Sequence, residues 1–265
     1  MRRLFVAIFM ALGLLCLHGF DVRAQGARES VVWTPGNPSP VGNYTDAFAK
    51  QVMSVPVGEQ DVYMTYFLLA PQKPWPEGVK FPLILLMHGA GGWAQGGYYL
   101  LDQNVRLEYP AFVVVPALPR GVPWAQPGGM RPGYALPAAV SLIQKISRVY
   151  PVDTSRLYAV GCSMGGIGAY GAARYYPDVF AAAVPVAGAW NPKEGKAMTG
   201  IPVAAFHGAK DRSISPASSK ETISAIRAAG GQATYTEFSG MGHECDSALV
   251  YTDALWQWLF QQQKN

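Results

Sequence analysis

One serine in this sequence lies in a pattern that is typical of a catalytic nucleophile. Residues 161–165 read Gly-Cys-Ser-Met-Gly and fit Gly-x-Ser-x-Gly, with Ser163 at the centre. The apolar run 157–160 predicts a buried parallel strand, and the small residues that follow predict a helix that can continue until Pro177. A sharp turn between them would expose the serine hydroxyl on a strained backbone. The pattern predicts a nucleophile elbow, and a glycine-rich turn with a bystander serine is the alternative.

Two further residues after Ser163 could complete the chemistry of a serine nucleophile. A serine hydroxyl is a weak nucleophile, so it needs a histidine base that is oriented by a carboxylate. After this type of turn the carboxylate precedes the histidine in the chain. Asp211 follows the apolar run 201–206, and His243 follows the predicted strand 234–238. Because parallel strands assemble sites at their carboxyl ends, we predict a catalytic triad of Ser163, Asp211 and His243.

Other carboxylates and histidines compete for these roles. Glu244 and Asp246 are close to His243 in sequence, but a side chain on the same short loop rarely reaches the ring nitrogen with good geometry. Asp246 has an alternative role as the N-cap of the last helix. His88 and His207 each end a predicted strand, and we expect them to be buried, hydrogen-bonded structural residues.

Two backbone amides are expected to form the oxyanion hole of this site. One is the amide of Met164, the residue after the nucleophile. The other is expected in the segment 88–92, His-Gly-Ala-Gly-Gly, which follows the predicted strand 81–87. Ala90 is the favoured donor and Gly91 the alternative. A plain glycine turn is the structural alternative for this segment.

Short apolar runs alternate with helical patterns along the chain. Strands are predicted at 61–70, 81–87, 112–115, 157–160, 182–186, 201–206 and 234–238. Besides the helix after Ser163, helices are predicted at 136–150, from Pro216 to Gly230 and at 247–262. This alternation predicts an α/β fold with a mostly parallel central sheet and helices on both faces. We expect one domain over 46–265, preceded by a loose lead-in over 25–45.

A long loop rich in proline and glycine is predicted at 118–137. Loops of this length are usually functional or mobile. Trp124 in this loop and Trp93 after the segment 88–92 are expected to line an apolar acyl pocket. Ordinary loop packing is the alternative for each of them.

The N-terminus has the pattern of a secretory signal peptide. Arg2 and Arg3 precede an apolar run over 4–17, and Val-Arg-Ala at 22–24 predicts cleavage after Ala24. We therefore expect a secreted or periplasmic protein without a membrane span after cleavage. Removal of 1–24 leaves 18 basic and 16 acidic residues with no basic cluster, so we expect no nucleic-acid partner. The remaining histidines and cysteines show no metal-ligand spacing.

Together these motifs resemble a known family. The segments 86–91, 152–158, 161–166, 205–211 and 240–243 are similar to the esterase and "predicted peptidase" branch of the α/β-hydrolases. This branch is similar to dienelactone hydrolases, feruloyl esterases and polyhydroxybutyrate depolymerases. The resemblance implies an α/β-hydrolase fold without a large cap domain. It also implies hydrolysis of carboxylic esters by Ser163, Asp211 and His243, with no metal or cofactor. An exported enzyme with the apolar pocket described above is expected to act on short-chain or aromatic esters of acetyl or feruloyl type, as small molecules or linked to a polymer. A serine peptidase and a non-catalytic binding protein are the alternatives.

The two cysteines that remain after signal cleavage flank the predicted catalytic residues. Cys162 precedes Ser163, and Cys245 lies two positions after His243. Tannase-like and fungal feruloyl esterases are similar, with a disulfide between the neighbours of their serine and histidine. There the second cysteine follows the histidine directly, whereas here Glu244 intervenes. The resemblance implies a Cys162–Cys245 disulfide, and two buried thiols are the alternative.

Overall fold

The computed structural model describes residues 31–33, 47–91 and 96–264. The predicted signal peptide over 1–24 and its cleavage site lie outside the described residues, as does most of the predicted lead-in. The strands are β1 Val31–Trp33, β2 Ala49–Val57, β3 Gln60–Leu69, β4 Phe81–Met87, β5 Phe112–Pro116, β6 Val152–Cys162, β7 Ala182–Val186, β8 Val203–Gly208 and β9 Ala233–Phe238. The α-helices are α1 Gln103–Glu108, α2 Leu136–Val149, α3 Met164–Tyr175, α4 Pro216–Ala228 and α5 Asp253–Phe260, and two 3₁₀ helices cover Gly97–Leu101 and Pro192–Met198.

The strands form one mostly parallel sheet, as the alternation of strands and helices predicts. Its order is β1-β3-β5-β4-β6-β7-β8-β9, and β2 pairs with β3. The pairs from β5 through β4 to β9 are parallel. β3 pairs antiparallel with its neighbours β2 and β5. The carboxyl ends of β4, β6, β7, β8 and β9 therefore lie at one edge of the sheet.

Helices cover both faces of the sheet, and the apolar sequence of β4 fits burial on both faces. All seven of its residues are buried. Leu83 and Leu85 pack into a core with residues of α2, α3 and α4, whereas Ile84 and Leu86 pack on the opposite face with residues of α5. Successive strand residues point to opposite faces, so a strand that is covered on both faces needs an uninterrupted apolar run. No helix among the described residues is long and apolar enough to cross a membrane.

The N-terminal strands correct two sequence-based expectations. β1 pairs in parallel with β3 inside the range 25–45, so the expectation of a loose lead-in is wrong at Val31–Trp33. β2 was not predicted, because polar residues and Pro56 interrupt its apolar pattern. β2 is an edge strand that pairs with β3 along nine residues, and an edge strand tolerates a proline without an N–H group.

The last helix is shorter than the predicted range 247–262. α5 begins at Asp253, and its N-cap is Thr252, so an N-cap role for Asp246 is wrong. The residues before it form turns that bury Tyr251, whose ring stacks on Trp256 at a centroid distance of 6.1 Å. Leu249, the apolar residue that suggested an earlier start, lies in these turns and is 58% exposed.

The turn between β6 and α3 has the strained geometry of a nucleophile elbow. Ser163 has φ 57° and ψ −119°, a conformation that non-glycine residues rarely adopt. The helix start lies against β4, so a Cβ atom at Gly165 would overlap the carbonyl oxygen of Met87. A Cβ atom at Gly161 would overlap the carbonyl oxygen of Gly165. Both glycines are therefore required by close backbone approach.

A disulfide joins the end of β6 to the loop after β9. Cys162 and Cys245 are bonded with a Cα–Cα distance of 5.5 Å across a sequence separation of 83 residues. Both residues are buried, at 1% and 4% exposure. The bond therefore connects the residue before Ser163 to the loop that carries His243.

Replacement of Gly165 by alanine should destabilise the fold by about 1–3 kcal/mol or more, because rigid backbone must move to admit the methyl group. Gly240→Ala is the matched control, since a Cβ atom there meets nothing within 4 Å. Urea denaturation of both variants measures the difference. Equal stability of the two variants would contradict the close approach.

Removal of the disulfide by Cys162→Ala with Cys245→Ala should lower the free energy of unfolding by about 4–5 kcal/mol, because the unfolded chain gains the entropy of a long open loop. Urea denaturation without reductant measures this loss, and a reductant should not destabilise the double variant further. Two free thiols in the denatured, unreduced protein would contradict the bond.

Candidate active site

The structure brings Ser163, His243 and Asp211 into one hydrogen-bonded chain. The Nε2 atom of His243 lies 2.9 Å from the Oγ atom of Ser163. The Nδ1 atom of the same ring lies 2.7 Å from Oδ2 of Asp211. The Asp211 side chain is fully buried, whereas 26% of the His243 side chain is exposed. The predicted base is thus open to solvent on one side and held by a buried carboxylate on the other.

Hydrogen bonds keep the buried carboxyl group of Asp211 ionised. Its Oδ1 atom accepts from the amides of Ser213 at 2.8 Å and Ile214 at 2.9 Å. Burial raises the pKa of Asp211, but the bonds from the Ile214 amide, His243 and the Ser213 amide outweigh it, so the pKa lies below its usual value. An ionised carboxylate only accepts, so Nδ1 of His243 carries the hydrogen. Nε2 is then free to accept the proton of Ser163.

Backbone contacts between two loops place the acid against the base. Asp211 follows β8, and His243 follows β9, which is paired in parallel with β8. The amide of Ala209 donates to the carbonyl of Phe238 at 3.0 Å, and the amide of Lys210 donates to the carbonyl of Met241 at 2.9 Å. Two residues that are 32 positions apart in the chain therefore meet because their strands are neighbours.

The rival carboxylates lie elsewhere. Glu244 is exposed, and its Oε1 atom accepts from the amide of Gly242 at 3.2 Å. Asp246 is also exposed, and its carbonyl oxygen accepts from the hydroxyl of Tyr99 at 2.9 Å. The Nδ1 atom of His243 bonds to Asp211 instead. The geometry therefore favours Asp211 as the orienting acid.

The segment after β4 is arranged so that the Ala90 amide points away from His88. The amide of Leu118 donates to Nε2 of His88 at 3.2 Å, so the ring hydrogen is on Nδ1 and is donated to the carbonyl of Gly89 at 2.7 Å. Burial lowers the pKa of His88, although the Gly89 bond opposes this, so the ring is neutral at pH 7. The Gly89 carbonyl and the Ala90 N–H belong to the same peptide group, and in a trans peptide the N–H points opposite to the C=O. Because the Gly89 carbonyl faces the His88 ring, the Ala90 N–H points away from it.

The amides of Ala90 and Met164 have no hydrogen-bond acceptor among the residues that the structure describes. Met164 directly follows Ser163, and the β4 end contacts the start of α3 at Gly165. Two donors beside the nucleophile are what an oxyanion hole requires. This geometry supports the predicted pair, and Gly91 stays the alternative to Ala90.

Trp124 does not line a surface pocket, so this prediction is wrong. Its side chain is fully buried. Its Nε1 atom donates to the carbonyl of His88 at 2.9 Å, and its ring meets the His88 ring edge-on at 5.2 Å. It fits against Gly168 of α3, where a Cβ atom would come within 2.7 Å. Trp124 therefore packs against His88 and stabilises the first residue of the predicted oxyanion segment from the protein core. Trp93 lies outside the described residues.

The long predicted loop runs along α3. Beyond Trp124, the amide of Gly129 donates to the hydroxyl of Tyr175, the last residue of that helix, at 2.8 Å. The amide of Gly128 donates to Glu194 at 2.8 Å. These contacts hold Gly128 and Gly129 near the C-terminal end of α3, away from Ser163.

Sequence reasoning missed the contact between His207 and Asp211. His207 is buried, as predicted, but its Nε2 atom lies 3.1 Å from Oδ2 of Asp211. The signal available in the sequence was the spacing His-x-x-x-Asp after a strand. The described residues contain no group of three histidine, cysteine or acidic side chains that could hold a metal ion.

Comparison with known proteins agrees with this architecture. The model of the family described as "Putative esterase" matches residues 61–265. Poly(3-hydroxyalkanoate) depolymerase C of Paucimonas lemoignei is 25% identical over 185 residues, which cover 54% of this chain and 43% of that protein. The chain thus spans less than half the length of this curated relative.

Solved structures show the same fold. A thermostable esterase is 26% identical with a TM-score of 0.74, and the match covers 83% of this chain and 64% of that chain. A ferulic acid esterase is 17% identical with a TM-score of 0.62, covering 80% and 95%. An acylaminoacyl peptidase of Pyrococcus horikoshii is 13% identical with a TM-score of 0.63, covering 83% and 42%. The last two share the fold alone.

These likenesses confirm the predicted α/β-hydrolase fold and the resemblance to its esterases. The family match spans most of the chain and includes the Ser163, Asp211 and His243 positions. This protein therefore belongs to the family described as "Putative esterase".

Proposed function

We propose that this protein is a serine carboxylic ester hydrolase with Ser163 as nucleophile, His243 as base and Asp211 as orienting acid. The observation that carries the proposal is the continuous chain of hydrogen bonds from Ser163 Oγ through both nitrogens of His243 to a buried carboxylate. In a chain of this family, such an arrangement matches what acyl transfer from an ester requires.

The proposed reaction proceeds through an acyl-enzyme. Ser163 Oγ attacks the ester carbonyl carbon while His243 Nε2 takes its proton. The oxyanion accepts hydrogen bonds from the Met164 and Ala90 amides. His243 then gives its proton to the leaving alcohol, and the acyl group stays on Ser163. A water molecule, deprotonated by His243, releases the acid and restores the hydroxyl.

Short-chain or aromatic acyl groups, on small molecules or on polymers, are the proposed substrates. The names of two similar proteins support this: one is a depolymerase of poly(3-hydroxyalkanoate), and the other is a ferulic acid esterase. We also propose export, with cleavage after Ala24. The predicted signal peptide supports export, and a disulfide is compatible with an oxidising compartment.

Ser163→Ala should lower ester turnover by about 10⁶-fold, because the nucleophile and its acyl-enzyme are lost. The measurement is release of p-nitrophenol from p-nitrophenyl acetate, with the melting temperature recorded as evidence of folding. Ser224→Ala is the matched control, since Ser224 is an exposed serine of α4 whose hydroxyl donates to the carbonyl of Lys220. Substantial ester turnover by the Ser163 variant would refute the assignment and indicate a different catalytic site, whereas no turnover by the unaltered protein would favour a non-catalytic binding protein.

A substrate panel should separate esterase from peptidase activity. We expect acetyl, butyryl and feruloyl esters to exceed octanoyl esters and peptidyl anilides by about tenfold or more in kcat/KM, because acyl fit is expressed in the transition state. Each rate is corrected with the Ser163 variant. An anilide that is cleaved as efficiently as the acetyl ester would favour a peptidase, the activity named for the acylaminoacyl peptidase with the same fold.

A further inference from the structure

The carboxylate of Asp211 accepts four hydrogen bonds, one of which the proposed mechanism does not use. Oδ1 accepts from two backbone amides of its own turn. Oδ2 accepts from His243 at 2.7 Å and lies 3.1 Å from Nε2 of His207. An ionised carboxylate has about four lone-pair positions, so this set fills it. The fourth donor comes from a second imidazole ring that does not contact Ser163.

The surroundings of the His207 ring determine where its hydrogen lies. Nε2 faces two acceptors, Oδ2 of Asp211 at 3.1 Å and the carbonyl of Ile214 at 3.0 Å. Two acceptors at one ring nitrogen require that this nitrogen carries hydrogen. His207 therefore donates toward Oδ2, the same oxygen that receives the His243 hydrogen.

The opposite side of the ring is anchored in the protein core. Nδ1 of His207 lies 3.0 Å from the hydroxyl of Ser219 on α4. This hydroxyl lies 2.8 Å from the carbonyl of Gly188, which follows β7. His207 and Ser219 both have 0% exposure. The ring is thus held by α4 and the end of β7 while it faces the carboxylate.

A buried imidazole is costly at a position where an apolar side chain could fill the space, unless its polar atoms are used. His207 is the fifth residue of β8, and the strand residues Val203 and Ala205 are apolar and buried. The ring uses both nitrogens, and one of them acts on the orienting acid. We propose that His207 is a positioning residue, which fixes the rotation of the Asp211 carboxylate so that Oδ2 meets Nδ1 of His243.

This inference rests on the proposed function, because it assigns His207 an effect that passes through Asp211 to the base. A carboxylate that rotates freely would hold His243 less firmly in the tautomer that accepts the Ser163 proton. The loss should therefore appear in the chemical step and leave substrate binding little changed.

A pair of amide variants tests the contact. Glutamine places its amide nitrogen about where Nε2 of histidine lies, whereas asparagine reaches only to the Nδ1 position. His207→Asn should lower kcat for p-nitrophenyl acetate by about tenfold or more with KM changed less than about twofold. His207→Gln should restore most of kcat. Equal kcat in the two variants, or a loss confined to KM, would overturn the proposal.

A matched control separates positioning from a general loss of buried polar contacts. Thr222 lies on the same helix as Ser219, and its buried hydroxyl bonds to the carbonyls of Trp190 at 3.1 Å and Ser218 at 2.7 Å. Thr222→Val removes this hydroxyl. It should lower the melting temperature and leave kcat unchanged. An equal loss of kcat in Thr222→Val would assign the effect of His207 to stability.

A double-mutant cycle tests whether His207 acts through Asp211. In the Asp211→Asn background, His207→Asn should change the remaining rate by less than about twofold, since the group that it positions has been altered. The same tenfold loss in both backgrounds would contradict a route through the carboxylate.

Labelling of Ser163 by a fluorophosphonate distinguishes failure of this inference from failure of the proposed function. The probe needs only an activated serine and no ester substrate. We expect labelling in the unaltered protein and about tenfold slower labelling in His207→Asn. No labelling of the unaltered protein would reject the nucleophile itself. Labelling at equal rates in both proteins would reject the role of His207 and leave the proposed function standing.

Discussion

The buried, ionised carboxylate of Asp211 is the interaction on which the rest of the site depends. An ionised group away from water is unfavourable unless hydrogen bonds replace its hydration. Here the donors come from separate parts of the fold: the turn after β8, β8 itself through His207, and the loop after β9 through His243. The carboxylate can stay charged only when these parts are correctly assembled. The charge state of the site is thereby coupled to the packing of the sheet edge.

The nucleophile depends on a second constraint, the strained turn at Ser163. Its positive φ costs free energy that the surroundings must offset. The amide of Ser163 donates to the carbonyl of Val186 at 2.9 Å, and the amide of Ile167 donates to the carbonyl of Ser163 at 3.0 Å. The disulfide attaches the preceding residue to the loop that carries His243. The turn and the base are therefore held to the same edge by both backbone and covalent links.

Much of the fold was predictable where burial is a local property of the sequence. Strands such as β4 and β7 are apolar without interruption, because both of their faces are covered. The order of Ser163, Asp211 and His243 could also be proposed from motifs alone, since each follows a predicted strand. Errors arose where distant residues decide burial. β2 is stabilised by pairing with β3 despite its proline, and Tyr251 is buried from a turn against Trp256.

Trp124 shows most clearly what the chain could not reveal. An aromatic residue in a long loop can line a pocket or fill the core, and only the approach of α3 at Gly168 and of His88 decides between them. The sequence by itself determined the fold class, the strands from β3 to β9 and the candidates for the chemistry, because periodicity and motif spacing are local. The tertiary structure decided which carboxylate meets His243, that Cys162 reaches Cys245, and that His207 shares the oxygen of Asp211. Those contacts join residues on separate strands and loops, and their distances depend on strand order and sheet twist.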